Sequence, residues 1–368
     1  MARELEATSR RGTRVAPPGT VLLSVGEPDF ATPAHIQAAL VDALAQGATH
    51  YAAPFGDPDL RLALADAAAA VAGRGISADQ AIVTHGAHGG IGAVMLATLD
   101  PGDRVVIPDP NYSLYADHVR LAGAVPVFVP CLTDHHLDLD ALERAAAGAR
   151  MVILCHPCNP TGAVLTGAEL AEVARIAEAN DLLVLADEAY DAMVYERPFI
   201  SSLTVEALAP RLLYCQTFSK RYAMTGWRIG WLVVPPDLAP AIGRIHFSLH
   251  GPLNSAVQRA ALAALGSTDD VDRMVREYAR RRDLVVAGLA AMPGVTAPAP
   301  EGTFYAFLRY PQHMDAVSML RRCLDHGVAL RAGSEFGDAG ENHLRLSFAA
   351  GIPDLEEGLR RLGAALAS

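Results

Sequence analysis

Lysine is all but missing from this chain. Of its 30 lysine and arginine residues, one is a lysine, Lys220, and 29 are arginines. The sequence takes arginine wherever a fixed positive charge suffices. The single lysine therefore points to a task closed to a permanently protonated guanidinium, that of losing its proton and attacking a carbonyl. On residue type alone, an incidental surface lysine is the alternative. Cysteine is sparse as well: Cys131, Cys155, Cys158, Cys215 and Cys323 are too few in 368 residues for a disulfide framework. Cys155-His156-Pro157-Cys158 has redox or metal spacing, yet no second such pair accompanies it, and the Asn159-Pro160-Thr161-Gly162 that follows gives the stretch another account. No apolar run is long enough to span a bilayer, and residues 1–20 lack the apolar core of a secretory leader. The net charge is −11 with no basic stripe, which argues against nucleic acid as a partner. The cluster Arg280-Arg281-Arg282 reads as a solvated helix face. Together these absences predict a soluble, cytoplasmic protein without a metal centre.

What is present is a long alternation of strand and helix signals. Apolar strand-like runs at 21–25, 81–84, 104–107, 125–129, 151–155, 182–186 and 212–216 alternate with helical stretches at 34–45, 59–71, 91–99, 113–121, 139–147 and 167–179. Thr32-Pro33 reads as the cap of the first helix, with proline at its first position, and Thr166-Gly167-Ala168-Glu169 as a capping box. Residues 228–234 form one more strand-like run, with Arg228 at its start. Repeated βα units predict an α/β fold, a mainly parallel central sheet sandwiched by helices, with ligands at the carboxyl ends of its strands. After Pro235-Pro236 helices dominate to about residue 291, and strands at 303–308, 328–330 and 343–348 with helices at 316–325 and 354–366 make a smaller α/β domain. The expected division is an N-terminal segment (1–30) packing on the small domain, a large domain (31–240) and the small domain (241–368).

The carboxyl ends of the apolar strands carry Asn159, Asp187, Tyr190 and Lys220. Each has a plainer reading: a turn residue before proline, a solvated helix start, a core tyrosine, a surface amine. Gly86-Ala87-His88-Gly89-Gly90 joins strand to helix, where backbone N–H groups face an anion, and His88 either touches the ligand or lines the turn. Thr217, Ser219 and Arg228 supply hydroxyls and a guanidinium around Lys220. This set holds a phosphorylated carbonyl compound, with the lysine taking the aldehyde and the other groups the phosphate. Pyridoxal 5'-phosphate (PLP) requires such a kit: a carboxylate for its ring nitrogen, hydrogen bonds to its 3'-oxygen and an aromatic face, for which Tyr112 is placed.

The segments Gly26-Glu27-Pro28-Asp29-Phe30, Asn159-Pro160-Thr161-Gly162, Asp187-Glu188-Ala189-Tyr190 and Ser219-Lys220, with Thr225-Gly226-Trp227-Arg228-Ile229-Gly230, resemble the class I/II aminotransferases. These are fold-type I PLP-dependent transferases of the aspartate/aromatic/kynurenine group. The resemblance runs from about residue 22 to the end. It implies that Lys220 forms the Schiff base with PLP and then serves as base and acid. Asp187 would pair with the ring nitrogen, Tyr190 and Asn159 with the 3'-oxygen, and Tyr112 would stack on the ring. The amides of Ala87 and His88, with Thr217, Ser219 and Arg228, would hold the phosphate, and Tyr51 would reach the phosphate of a neighbouring subunit in a homodimer with shared sites. Arg345 would grip the substrate α-carboxylate, Gly26 would let its backbone approach the substrate, and Arg331, where a proline-glycine pair is usual nearby, would meet a second substrate carboxylate. The implied reaction is ping-pong exchange of an amino group between an amino acid and a 2-oxo acid. A PLP-dependent lyase, cyclising synthase or decarboxylase on the same fold is the alternative.

Overall fold

The computed structural model describes residues 16–368, so half of the expected N-terminal segment 1–30 lies outside the described residues. Strand β1 (Val21–Leu22) is followed by β2 (Ala81–Thr84), β3 (Arg104–Asp109), β4 (Val125–Pro130), β5 (Met151–Cys155), β6 (Leu183–Asp187), β7 (Leu212–Thr217) and β8 (Gly230–Val233). The last seven form one sheet in the order β2-β8-β7-β6-β5-β3-β4. Its pairs from β4 through β7 are parallel, because helices at Leu114–Leu121, Leu139–Ala146 and Gly167–Ala179 carry the chain back between strands. Between β7 and β8 there is only the one-turn helix Phe218–Arg221 and a tight turn at Thr225–Trp227, too little for a crossover. So β8 runs antiparallel to both neighbours. The expected strand at 228–234 accordingly starts two residues later, since Arg228 is in the left-handed region with φ 57°.

Successive residues of the central strands serve opposite faces. Met151, Ile153, Leu183, Leu185, Leu213 and Cys215 enter one apolar layer; Val152, Leu154, Val184, Ala186, Leu212 and Tyr214 enter the other. Both faces are therefore buried, as a near-continuous apolar strand sequence requires. The first layer is closed by helices Gly86–Thr98, Leu114–Leu121 and Ala239–His250, the second by Pro58–Ala72, Leu139–Ala146, Gly167–Ala179 and Ser255–Ala264. The expected border between residues 240 and 241 falls inside helix Ala239–His250, and that helix and Ser255–Ala264 both turn apolar faces to the sheet.

A second core gathers β9 (Tyr305–Arg309), β10 (Val328–Ala329), β11 (Arg331–Ala332) and β12 (His343–Ser347) with helices Ala316–Asp325 and Ile352–Ala367. Strands β11, β12 and β9 form an antiparallel sheet, and β1 lies parallel to β10, so the chain's early segment is tied to this smaller body. The 23-residue helix Thr268–Ala290 bridges the two cores: Val271 packs in the larger, Met274, Tyr278, Val285 and Leu289 in the smaller. Its arginines correct the expectation of a solvated face. Arg281 and Arg282 are buried; Arg281 meets Asp29 at 2.7 Å and stacks on Phe30, while Arg282 donates to Pro300 O at 2.6 Å.

Local signals hold where they are self-contained. Thr166 and Glu169 form the reciprocal capping box. Thr32-Pro33 does not cap as expected: Pro33 is itself the cap residue, one position before the helix, and the Thr32 hydroxyl donates to Ala223 O at 2.6 Å and accepts from Trp227 Nε1. Thr32 thus binds the first helix to the loop that carries Lys220. Among the described residues no helix is long and apolar enough to cross a membrane.

Candidate active site

A cavity of about 430 Å³ opens at the carboxyl ends of β5, β6 and β7, where Cys155, Asp187 and Thr217 line it. Lys220 follows β7 on the one-turn helix, so the sheet aims the amine into the cavity. Nζ donates to Gly26 O at 2.6 Å. Burial pushes the Lys220 amine down to about 8; Glu27 and Asp187 oppose the shift while Arg345 and Arg228 add to it. An amine so tuned has a substantial neutral fraction near neutral pH and is a competent nucleophile.

Facing it, Asp187 is buried, accepts from Tyr115 OH at 2.8 Å on Oδ2 and from the Ala189 N–H at 3.2 Å on Oδ1. Burial raises the Asp187 carboxyl, and the Tyr115 hydroxyl partly offsets this. The carboxylate is held by two donors, and a cationic ring nitrogen would supply a full counter-charge. Tyr190 shares a 2.9 Å hydrogen bond with Tyr305 OH. Asn159 Oδ1 accepts from Arg345 Nη1 at 2.9 Å, and Arg345 Nη2 donates to Ser24 O at 2.9 Å. The Arg345 guanidinium lies 4.2 Å from the Tyr305 ring centre and 4.8 Å from that of Phe336, and its buried Nε has no hydrogen-bond partner among the described residues. That combination of flat stacking and open hydrogen-bond capacity suits a carboxylate.

The opposite end is built for a phosphate. The helix Gly86–Thr98 begins there without a side-chain cap, so Ala87 and His88 present first-turn amides to the cavity. Gly86 has φ +66°, and a Cβ on it would lie 2.5 Å from Arg228 Nη2; a Cβ on Gly230 would lie 2.8 Å from Ala87 N. The left-handed turn at Arg228 swings its guanidinium over this glycine floor. Thr217 Oγ1 donates to Ser219 Oγ at 2.9 Å, and both hydroxyls line the cavity. His88 Nε2 and Tyr112 OH are 2.8 Å apart on the wall between the two ends. PLP would fit this donor set, the amide–guanidinium cradle suiting its dianion, Asp187 its ring nitrogen and Lys220 its aldehyde. Gly230→Ala is expected to weaken PLP binding about tenfold or more, because overpacking at the cradle floor displaces the Ala87 amide. Absorbance titration of the cofactor-free protein measures this, with an unchanged unfolding midpoint excluding general misfolding.

Gly26, Ala87, His88, Tyr112, Asn159, Asp187, Tyr190, Thr217, Ser219, Lys220, Arg228, Arg331 and Arg345, all expected from the sequence, line this one cavity. Tyr51 does not; it is 93% exposed on the outer surface. Arg331 lines the cavity but is ion-paired through Nη2 to the buried Glu335, which also accepts from the Ala332 N–H. Sequence reasoning missed Tyr115, Tyr305 and Phe336. Tyr115 stands in the first turn of helix Leu114–Leu121, three residues after Tyr112 in the preceding loop, and its ring meets that of Tyr112; nearness in sequence to Tyr112 was the available signal.

Fold and site together define a PLP-dependent enzyme of amino-group transfer. A family profile described as aminotransferase class I and II matches residues 18–362. The aspartate aminotransferase of Pyrococcus horikoshii is 34% identical over 355 residues, covering 94% of this chain and 90% of that protein. The arginine–pyruvate transaminase of Pseudomonas aeruginosa is 34% identical over 93% of this chain and 88% of its own length. Among solved structures, the aromatic aminotransferase of Pyrococcus horikoshii superposes with a TM-score of 0.93 at 33% identity, covering all of this chain and 98% of that one. The aspartate aminotransferase of Thermus thermophilus with maleate gives 0.90 at 34%, covering 99% and 94%. The chain belongs to the class I and II aminotransferases.

Proposed function

We propose that this aminotransferase works by a ping-pong exchange between an L-amino acid and a 2-oxo acid, with Lys220 as the residue that carries the cofactor and moves the reacting proton. The observation that carries this reading is the only lysine of the sequence, set after β7 with its amine pushed down to about 8 by burial and facing both Asp187 and Arg345. Bound PLP supplies an electron sink for the substrate's α-carbon. Asp187 would keep the ring nitrogen protonated, while Tyr190 and Asn159 would meet the 3'-oxygen. Tyr112 would cover the ring, and the Ala87 and His88 amides with Thr217, Ser219 and Arg228 would hold the phosphate. Arg345 fixes the substrate carboxylate, and Lys220 Nζ takes the proton from Cα and returns it. The named relatives are all aminotransferases, which favours transfer over elimination, cyclisation or decarboxylation.

The test is the visible absorption of purified enzyme as amino acids are added singly. A donor should bleach the lysine-linked cofactor band and a 2-oxo acid should restore it; recovery of the band without an oxo acid would overturn transfer.

Arg331 is proposed to face the substrate side chain, supported by its place in the cavity beside Arg345 and by a buried Nε without a partner among the described residues. Arg331→Ala is expected to raise KM about tenfold for acidic substrates and less for neutral ones; equal rises would assign it a structural role through Glu335. Tyr51 is proposed to serve the neighbouring site of a homodimer, its exposure being what an intersubunit residue shows in a single chain. Tyr51→Phe should then weaken cofactor retention several-fold, whereas unchanged retention would remove Tyr51 from the site. A cytoplasmic location is proposed as well, supported by five cysteines that are all unpaired.

A further inference from the structure

The Cys155-His156-Pro157-Cys158 stretch is not absorbed by the reaction above, and its geometry is specific. Cys155 ends β5 in register with Asp187 and lines the active-site cavity. With Cys131 and Cys158 it also lines a small apolar cavity behind that site. The loop after β5 curls back so that the Asn159 N–H donates to Cys155 Sγ at 3.4 Å, and the Cys158 N–H is held by Ala163 O at 2.9 Å. The curl sets both thiols on the wall of that small cavity, three residues apart, with the Cys155 thiol donating to Pro157 O at 3.6 Å. Both residues are half-buried, and Cys155 lines the open active-site cavity, the side from which a small reagent approaches the pair.

We propose that Cys155 and Cys158 are a redox-active dithiol, a modification site whose closure to a disulfide weakens substrate carboxylate binding. The neighbouring Cys155 thiol lowers the Cys158 thiol and Thr161 adds to the effect, so Cys158 is the attacking thiolate. Burial raises Cys131, which stays protonated. The oxidant is a small-molecule disulfide. Cys158 thiolate attacks one of its sulfurs, forming a mixed disulfide and expelling one thiolate. Cys155 then gives up its proton and attacks Cys158 Sγ, expelling the second thiolate. Two electrons and two protons pass from the protein pair to the reagent, which leaves as two thiols.

The consequence reaches the substrate through Asn159. Its N–H is bonded to the Cys155 sulfur and its Oδ1 orients Arg345. Turning the Cys155 sulfur toward Cys158 removes the acceptor under the Asn159 amide and shifts the residue that steadies the carboxylate-binding guanidinium. Loss of that one bond corresponds to about a tenfold rise in KM.

The experiment treats holoenzyme with oxidised glutathione. Expected are the loss of two of five titratable thiols, a peptide link between Cys155 and Cys158 by mass spectrometry, and a KM for amino acid and oxo acid about tenfold higher, reversed by a dithiol reductant. Cys158→Ser should keep basal activity and be indifferent to the reagent, while Cys155→Ser should trap one glutathione on Cys158. Five thiols remaining free, a link that joins Cys131 instead, or a 155–158 link that leaves KM unchanged would each overturn the proposal. The thiol count and the link are read without turnover, so they fail or hold independently of the transfer reaction.

Discussion

An enzyme carrying Lys220→Ala is expected to lose amino-group transfer by at least ~10⁴-fold, with the lysine-linked cofactor band gone from its spectrum. No second amine stands in reserve, because the sequence holds no other lysine. The nearby side chains of Arg221, Arg228 and Arg345 are guanidinium donors with no acceptor and cannot take a proton from carbon. Lys220→Arg should fail as completely as Lys220→Ala, which separates loss of a proton carrier from loss of a charge. A residual rate within a hundredfold of the parent in either variant would remove Lys220 from the reaction. The same residue carries a stability cost in the cofactor-free chain. Its folded pKa of about 8 lies below the unfolded value near 10.5. The folded state therefore disfavours the ammonium; the penalty is full below about pH 8 and disappears as pH rises toward 10.5. That difference corresponds to at most about 3.4 kcal/mol, an upper figure for a half-buried amine. Lys220→Met should raise the unfolding free energy of the cofactor-free protein at pH 7 and lose that advantage above pH 10.

Asp187→Asn is expected to lower kcat by about 10²–10³-fold while leaving the fold intact. Asparagine keeps the shape and the acceptor oxygen for Tyr115, whose hydroxyl lies 2.8 Å from the carboxylate. What it removes is the charge. In the cavity that charge is held at a cost, since burial raises the Asp187 carboxyl, and a cationic ring nitrogen recovers the cost when it arrives. Stopped-flow measurement of proton removal from an α-deuterated amino acid should show the whole loss on that step. Tyr115→Phe should have a smaller effect, about tenfold, because the Ala189 amide still orients the carboxylate. Equal rates for Asp187→Asn and parent would show that the ring nitrogen is not ionised by this residue.

Much of this architecture could be read from the sequence because the signals were local. The helices at Ala34–Ala45 and Ala316–Asp325 and the strands at Ala81–Thr84 and Met151–Cys155 have the expected bounds, each being an apolar pattern closed by glycine, proline or charge. The site residues of the large body were legible for a related reason: parallel strands deliver their last residues to a common edge. Failures arose where distant groups decide. Thr32 gives its hydroxyl to Ala223, 191 residues away, so its sequence position before Pro33 misleads. Arg228 adopts a left-handed turn that no apolar pattern announces. Tyr305 and Tyr115 look like core aromatics, and they are buried, yet their hydroxyls meet Tyr190 and Asp187. Arg281 and Arg282 look like solvent charges, yet Asp29, Phe30 and Tyr195 from other parts of the chain enclose them.

The stacking of Arg345 between Tyr305 and Phe336 has a stereochemical consequence. The guanidinium plane is fixed by two rings and by Asn159 and Ser24 before any substrate enters. A substrate anchored there by its carboxylate and at the cofactor by its nitrogen has two bonds left at its central carbon. In one enantiomer the hydrogen faces Lys220; in the mirror image the side chain does. On the proposed roles of Arg345 and Lys220, handedness would be decided by the rigidity of an arginine that never touches the bond being broken.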